Sequence, residues 1–312
     1  MGSRYLLVTA DDFGVGPETS RGILDLAARG VVTSTVLLVT SPFAEESVTT
    51  WRDRGRPVEL GWHPCLTLDA PVSPARRVPS LVDADGRFLT LGSFLKKLFL
   101  GRLDANEIET ELAAQYDRFL ELVGAPPANV NGHHHVHAFG PVRAALARVL
   151  AAQPTRPFVR RVVESRRTLL RVPGARLKRA WLSRVGRAAS PFPGNDYLIG
   201  VTNPACVHAA DFFPRWLRAA AGRCVELTCH PGYLDATLDG RDGTMTDGQL
   251  HRRPAEMERL SDPAFVEAAD AAGFKLVTAE EIVRVQKSAG QFRVRHRETS
   301  SFAAVSHVGN SN

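Results

Sequence analysis

The feature that most constrains this chain is a repeated exchange of short apolar runs with helical stretches from its first residues. RYLLVTADDFG holds a buried-type run at residues 5–9 that turns polar at its C-terminal end. PETSRGILDLAARG then spaces Ile23, Leu24, Leu26 and Ala27 on one helical face, and Gly30 closes it. STVLLVTS reads as a second strand, PFAEESVTTWRDRG as a second helix with an acidic first turn, and VELGWHPCLT as a third strand carrying His63. A β-α-β-α-β order predicts a mainly parallel sheet covered by helices. A length of 312 residues fits one large α/β barrel or two smaller domains.

The rest of the sequence extends this pattern. Residues 69–103 are rich in Pro and Gly and read as an insertion over the strand ends, where binding residues gather. DANEIETELAAQYDRFLELVG is an amphipathic helix with Ile108, Leu112, Tyr116, Phe119 and Leu120 on one face and Gly124 as its stop. ANVNGHHHVH reads as a strand, PVRAALARVLAAQ as a helix and CVELTCHPGY as a strand, before a closing helix, short strand and helix. A single domain is expected over residues 1–286, with insertions near 69–103 and 156–195. The polar stretch 287–312 is expected to be a disordered tail.

Composition excludes little but narrows the class. At 44% hydrophobic and 23% charged residues, the chain is of ordinary globular type. Four cysteines without a CxxC pair are expected to be buried thiols. No apolar run reaches the length of a membrane span, and YLLVTA is too short for a secretory h-region, so a cytoplasmic protein is expected. A net charge of +6 does not by itself indicate nucleic acid, and none is expected as a partner. Residues 156–187 carry eleven Arg or Lys and one acid. They read either as a solvated helical excursion or as a contact surface for an anionic substrate or a membrane.

Residues suited to metal binding or acid–base work stand at several strand ends. Asp11 and Asp12 are adjacent where the first strand turns; one carboxylate can hold a cation while the other takes a proton, or the pair can be a cap and a turn residue. His63 follows the third strand and His230 stands at another strand-to-turn junction. HHHVH packs four of the ten histidines into five positions. Read as a strand, it puts His133, His135 and His137 on one face and His134 on the other. Carboxylates and imidazoles converging at the C-terminal ends of parallel strands predict a metal-assisted hydrolase. Mixed Asp/His ligation suits Zn²⁺, Mg²⁺ and other divalent ions alike.

VTADDFG, VTSTVLLV, LGWHPCLT, NGHHHVHAFGPV and CHPGYLD occur in an order that resembles the YdjC-like carbohydrate deacetylases, which include the ChbG chitooligosaccharide deacetylases and the hopanoid-associated HpnK proteins. The resemblance runs from about residue 4 to 283. It implies a distorted (β/α) barrel and a divalent-metal hydrolase that removes acetyl from an N-acetylated sugar or glycolipid. It implies Asp12, His63 and His133 as metal ligands, Asp11 as the general base and His230 as a second catalytic histidine. His135, His137, Trp62 and Tyr233 would line the substrate pocket. The family often reads GLHLNLT and DSHHHVH where this chain has GWHPCLT and NGHHHVH, so the wall beside His63 and the group before the histidines differ. Two rival functions are a glycoside hydrolase on the same barrel and a non-catalytic glycan or lipid-headgroup binder. A homodimer stays open on these residues.

Overall fold

The computed structural model describes residues 3–241, 243, 248–288 and 290. In chain order the regular elements begin β1 (Arg4–Phe13), α1 (Pro17–Ala28), β2 (Ser34–Leu37), α2 (Ala44–Asp53) and β3 (Glu59–Trp62). Next come α3 (Leu91–Phe99), α4 (Ala105–Val123), β4 (Asn129–Val130), α5 (Gly140–Ala151) and β5 (Phe158–Val159). These are followed by α6 (Arg166–Arg171), α7 (Arg176–Val185), β6 (Tyr197–Ile199), α8 (Phe212–Ala219) and β7 (Cys224–Cys229). α9 (Gln249–Ser261), α10 (Pro263–Ala271), β8 (Phe274–Leu276) and α11 (Ala279–Ser288) complete the set.

Among the described residues the named strands pair in parallel, in the order β5-β4-β3-β2-β1-β7-β6. β1 is the hub. Along one edge it pairs with β7; along the other, β8 runs beside its first residues and β2 beside its last. The sheet curls until β5 and β6 approach each other. There a regular ladder gives way to single bonds: Val159 N–H donates to Pro193 O, and Leu198 N–H donates to Val163 O, each at 2.8 Å. The result is the parallel sheet that the alternation predicts, curled into the distorted barrel that the family resemblance implies.

Side-chain alternation separates two environments. In β1, Leu6, Val8 and Ala10 join the main hydrophobic core, as do Val225, Leu227 and Cys229 of β7. The alternate positions Thr9 and Asp11 of β1, with Glu226 and Thr228 of β7, hydrogen-bond within the barrel interior. Burial of the helix-facing set drives the fold at roughly 25 cal/mol per Å² of apolar surface. The barrel interior at the strand ends is polar, and the chemistry lies there.

Several sequence expectations are corrected. HHHVH is not a strand: β4 ends at Val130, and His133–Ala138 forms a 3-10 turn in which His134 and His135 have φ of 53° and 58°. Asn131 N–H still reaches Trp62 O, but His133 N–H turns to Pro64 O beyond the end of β3, so the chain leaves the sheet. Residues 69–103 contain α3 rather than loop alone. Residues 156–187 supply β5 as well as the helical excursion α6–α7. β6, α8 and α9 were not anticipated. α11 runs to Ser288, past the start expected for the tail; the rest of that tail, from residue 291, lies outside the described residues.

Candidate active site

The site is built first by an irregularity in β1. Strict alternation would send Asp11 into the barrel and Asp12 back toward the helices. Instead the β1–β2 register shifts between Ala10 and Phe13, and Asp12 takes a left-handed φ of 69°. Aspartate tolerates this conformation better than most residues. The bulge turns both adjacent carboxylates toward one cavity.

That cavity measures about 480 Å³. Asp11, Asp12, His63 and His133 stand together in it, with His134, His135 and His230 around them. Leu95, Phe139, Lys178 and Trp181 also contribute to its wall. Its size suits a small ligand.

Asp12, His63 and His133 are all buried, and each offers a donor atom within 4.8 Å of the others'. His63 Nδ1–H donates to Asn131 O at 2.7 Å, which orients the ring so that Nε2 faces Asp12 Oδ1 at 3.3 Å. His133 Nδ1 stands 3.0 Å from the same oxygen. The other oxygen, Oδ2, accepts from Arg253 Nη2 at 2.8 Å, so Asp12 presents Oδ1 alone. Two imidazoles and one monodentate carboxylate fit a catalytic divalent ion, which needs about three protein ligands and open positions.

Asp11 lies in a different field. Burial by itself would raise its carboxyl pKa, but the Arg160 guanidinium overrides burial and holds it well below the usual carboxylate range. Arg160 donates to Oδ2 at 2.6 Å and to Oδ1 at 2.8 Å, a bidentate pair, and Thr228 Oγ1 donates to Oδ2 at 2.8 Å. Arg160 Nε also donates to Glu226 Oε1 at 2.9 Å, and Nη1 to Asn131 Oδ1 at 3.0 Å. Glu226 is raised by burial despite that guanidinium. His230 Nε2 stands 4.0 Å from Asp11 Oδ2. Burial, and next the Arg252 charge, lower His230 to about 4, so it is neutral near pH 7.

The structure therefore brings together Asp11, Asp12, His63, His133, His135 and His230. It adds His134, which strand alternation had turned away; the 3-10 turn puts it in the cavity wall, where Thr67 Oγ1 meets its Nδ1 at 2.9 Å. Burial holds both His134 and His135 well below the ordinary histidine value, followed by the charges of His133 and Arg160 respectively.

Three residues expected to line the pocket stand elsewhere. Trp62 is fully buried and packs edge-on against Tyr116 in the core. Tyr233 donates its hydroxyl to Asp25 at 2.8 Å under the Arg21 guanidinium, outside this cavity. His137 faces a second cavity, of about 210 Å³; its Nδ1 accepts from Gly132 N–H and its Nε2–H donates to Arg160 O.

Sequence reasoning missed Arg160, Arg253, Thr228, Lys178 and Trp181. Arg160 was the most legible of these: VRRVV places two arginines inside an apolar run, which signals a charge that must be paired when buried.

Parallel strands whose C-terminal ends join an Asp–His–His donor set to a second carboxylate and a neutral histidine define an α/β-barrel protein with a candidate hydrolytic metal centre. The family model for the YdjC-like protein matches residues 5–271, and the chain belongs to that family. It is 30% identical over 282 residues to a carbohydrate deacetylase of Geobacillus stearothermophilus, covering 90% of this chain and 99% of that one. It is 28% identical to the chitooligosaccharide deacetylase of Klebsiella pneumoniae (strain 342), covering 89% and 99% of the two chains. The crystal structure of an Enterococcus faecalis V583 protein, provisionally described as a cellobiose-phosphate cleavage protein, superposes with a TM-score of 0.71 at 25% identity, covering 90% of this chain and all of the other.

Proposed function

We propose that this protein is a divalent-metal hydrolase that removes the acetyl group from an N-acetylamino sugar or a glycoconjugate carrying one. The observation that carries this reading is the sharing of one cavity by the buried Asp12–His63–His133 set, the Asp11 carboxylate and His230. Its relatives named as carbohydrate and chitooligosaccharide deacetylases support the same chemistry and substrate class.

In this reading Asp12, His63 and His133 hold the ion. When bound, it supplies a Lewis acid that polarises the acetamide carbonyl and lowers the pKa of water. The remaining work falls to the protein's own groups. Near pH 7 Asp11 is ionised and His230 neutral, so neither holds a proton for the departing amine at rest. The proton the amine needs is therefore the one removed from the attacking water. Asp11 takes it as general base, and His230, 4.0 Å away, delivers it to the sugar nitrogen as the C–N bond breaks. Arg160 and Thr228 hold the Asp11 carboxylate in place for that transfer. His134 and His135, both held well below the ordinary histidine value and so neutral near pH 7, form a wall that adds no competing charge.

A glycoside hydrolase needs one protonated and one ionised carboxyl flanking the scissile bond. Asp11 and Asp12 are both held in the ionised form by guanidinium groups, which argues against that use.

The test is acetate release from a panel of N-acetylated mono- and oligosaccharides, with Zn²⁺ or Mg²⁺ added. Wild type should release acetate in a chelator-sensitive way. Asp11→Asn should lose about 10²-fold or more in kcat while still binding the ion by calorimetry. No acetate from any substrate with any divalent ion would overturn the reading.

A further inference from the structure

We propose that the α6–α7 hairpin and the end of α3 form a docking surface for an anionic lipid bilayer, placed beside the mouth of the active-site cavity. This goes beyond the deacetylase reading and does not depend on it.

The surface joins two features that are seldom found together on a solvated face. The first is apolar exposure. Leu177 is 89% exposed, Leu170 77%, Phe99 63%, Leu100 55% and Trp181 39%. These side chains are linked: the rings of Phe99 and Trp181 lie 6.2 Å apart, Leu177 is one turn before Trp181 on α7, and Arg176 Nη2 donates to Leu170 O at 3.0 Å. Neighbouring apolar residues exposed on this scale mark an interaction surface rather than scatter.

The second feature is charge. Arg166, Arg167, Arg171, Arg176, Lys178, Arg184 and Arg187 are all exposed on the same segment. Its one acid, Glu164, is buried and paired with Arg179. Large apolar side chains ringed by Lys and Arg are the pattern of an interfacial membrane anchor. The same charge disfavours a second copy of this chain, because a two-fold interface would set the cationic patch against itself. Among the described residues no helix is long and apolar enough to cross a membrane, so the attachment is interfacial.

Position ties the surface to the site. Trp181 and Lys178 line the active-site cavity, and Phe139, also in its wall, stacks against Trp181 at 5.3 Å. A bilayer seated on Leu170, Leu177 and Phe99 would lie next to the cavity mouth, so that the cavity would open toward molecules displayed at the membrane surface.

The experiment uses the full chain with phosphatidylcholine vesicles, with and without phosphatidylglycerol, read by co-sedimentation and tryptophan emission. Trp51, Trp62 and Trp216 are buried, so an emission shift reports on Trp181. The protein should sediment with anionic vesicles only, with a blue shift that reverses in high salt. The double variant Leu170→Glu/Leu177→Glu should lower partitioning about tenfold or more. Its melting temperature and its turnover of soluble substrate should stay unchanged. Absence of binding to anionic vesicles at low salt would overturn the proposal, as would unchanged binding by the double variant. Self-association in vesicle-free solution that the double variant abolishes would assign the face to a second copy and also overturn it. Vesicle binding needs no turnover, so its failure is distinguishable from failure of the deacetylase reading.

Discussion

At Asp11 two demands oppose each other: a base needs proton affinity, while a buried carboxylate needs a compensating charge. Arg160 meets the second at the expense of the first, with a fork that spans both Asp11 oxygens and reaches Glu226 and Asn131. Lysine offers a point charge and cannot span that fork. Arg160→Lys should therefore fold but lose about 10²-fold in kcat with little change in KM, measured by steady-state acetate release. Arg160→Met should be worse in another way. It leaves Asp11 and Glu226 buried without their cation, at roughly 3–5 kcal/mol, readable by urea unfolding. Equal stability of Met and wild type would show that the pair is not buried as described. Asp11 and Asp12 were legible from their place at a strand end. Arg160 was concealed in a run of eleven basic residues, because most of that run is a solvated face and only neighbouring apolar residues mark the buried member.

At the scale of elements, strands with a buried run between helices were legible, and the short strand before the histidine turn was misjudged. β1, β2 and β3 announce themselves by buried runs between helices. β4 is two residues long, and the histidines after it belong to a turn whose left-handed positions no period-two rule anticipates. The bulge in β1 was equally silent, since local twist and pairing set it. One close approach holds these pieces in register. A Cβ on Gly61 of β3 would lie 2.0 Å from Asn129 Oδ1 and 2.4 Å from Asn129 O of β4. Backbone cannot give way as a side-chain tip can, so Gly61→Ala should push β3 from β4 and displace His63, two residues on. The expected outcome is a loss of roughly 1–3 kcal/mol or more in stability together with weaker metal binding by calorimetry. Retained metal affinity in a destabilised variant would separate the strand contact from the placement of His63.

At the scale of the whole molecule, the polar barrel interior couples stability to pH, and His137 provides the cleanest handle on it. Burial, and next the Arg160 charge, lower His137 to about 3. Geometry agrees: Nδ1 already accepts from Gly132 N–H at 2.8 Å, so a second ring proton would displace that donor. Above the ordinary histidine value of about 6.5, both folded and unfolded chains keep this ring neutral and its contribution is fully present. As pH falls below that value the unfolded chain takes a proton that native His137 refuses, and stability drops by about 1.4 kcal/mol per pH unit. Glu59 runs in the opposite sense. Burial lifts it to about 7, so the folded chain keeps a proton that the unfolded chain sheds, and stability is lost as pH rises toward neutrality. The net slope of the wild type mixes these terms with those of His134, His135 and His230, so the informative quantity is a difference. His137→Asn keeps an acceptor for Gly132 N–H and removes the titration. Between pH 6.5 and about 4.5 its unfolding free energy should fall less steeply than wild type by about one proton's worth, 1.4 kcal/mol per pH unit. Parallel slopes for the two proteins, measured by urea unfolding across that window, would mean that His137 titrates alike in both states and does not hold the barrel interior in its neutral form.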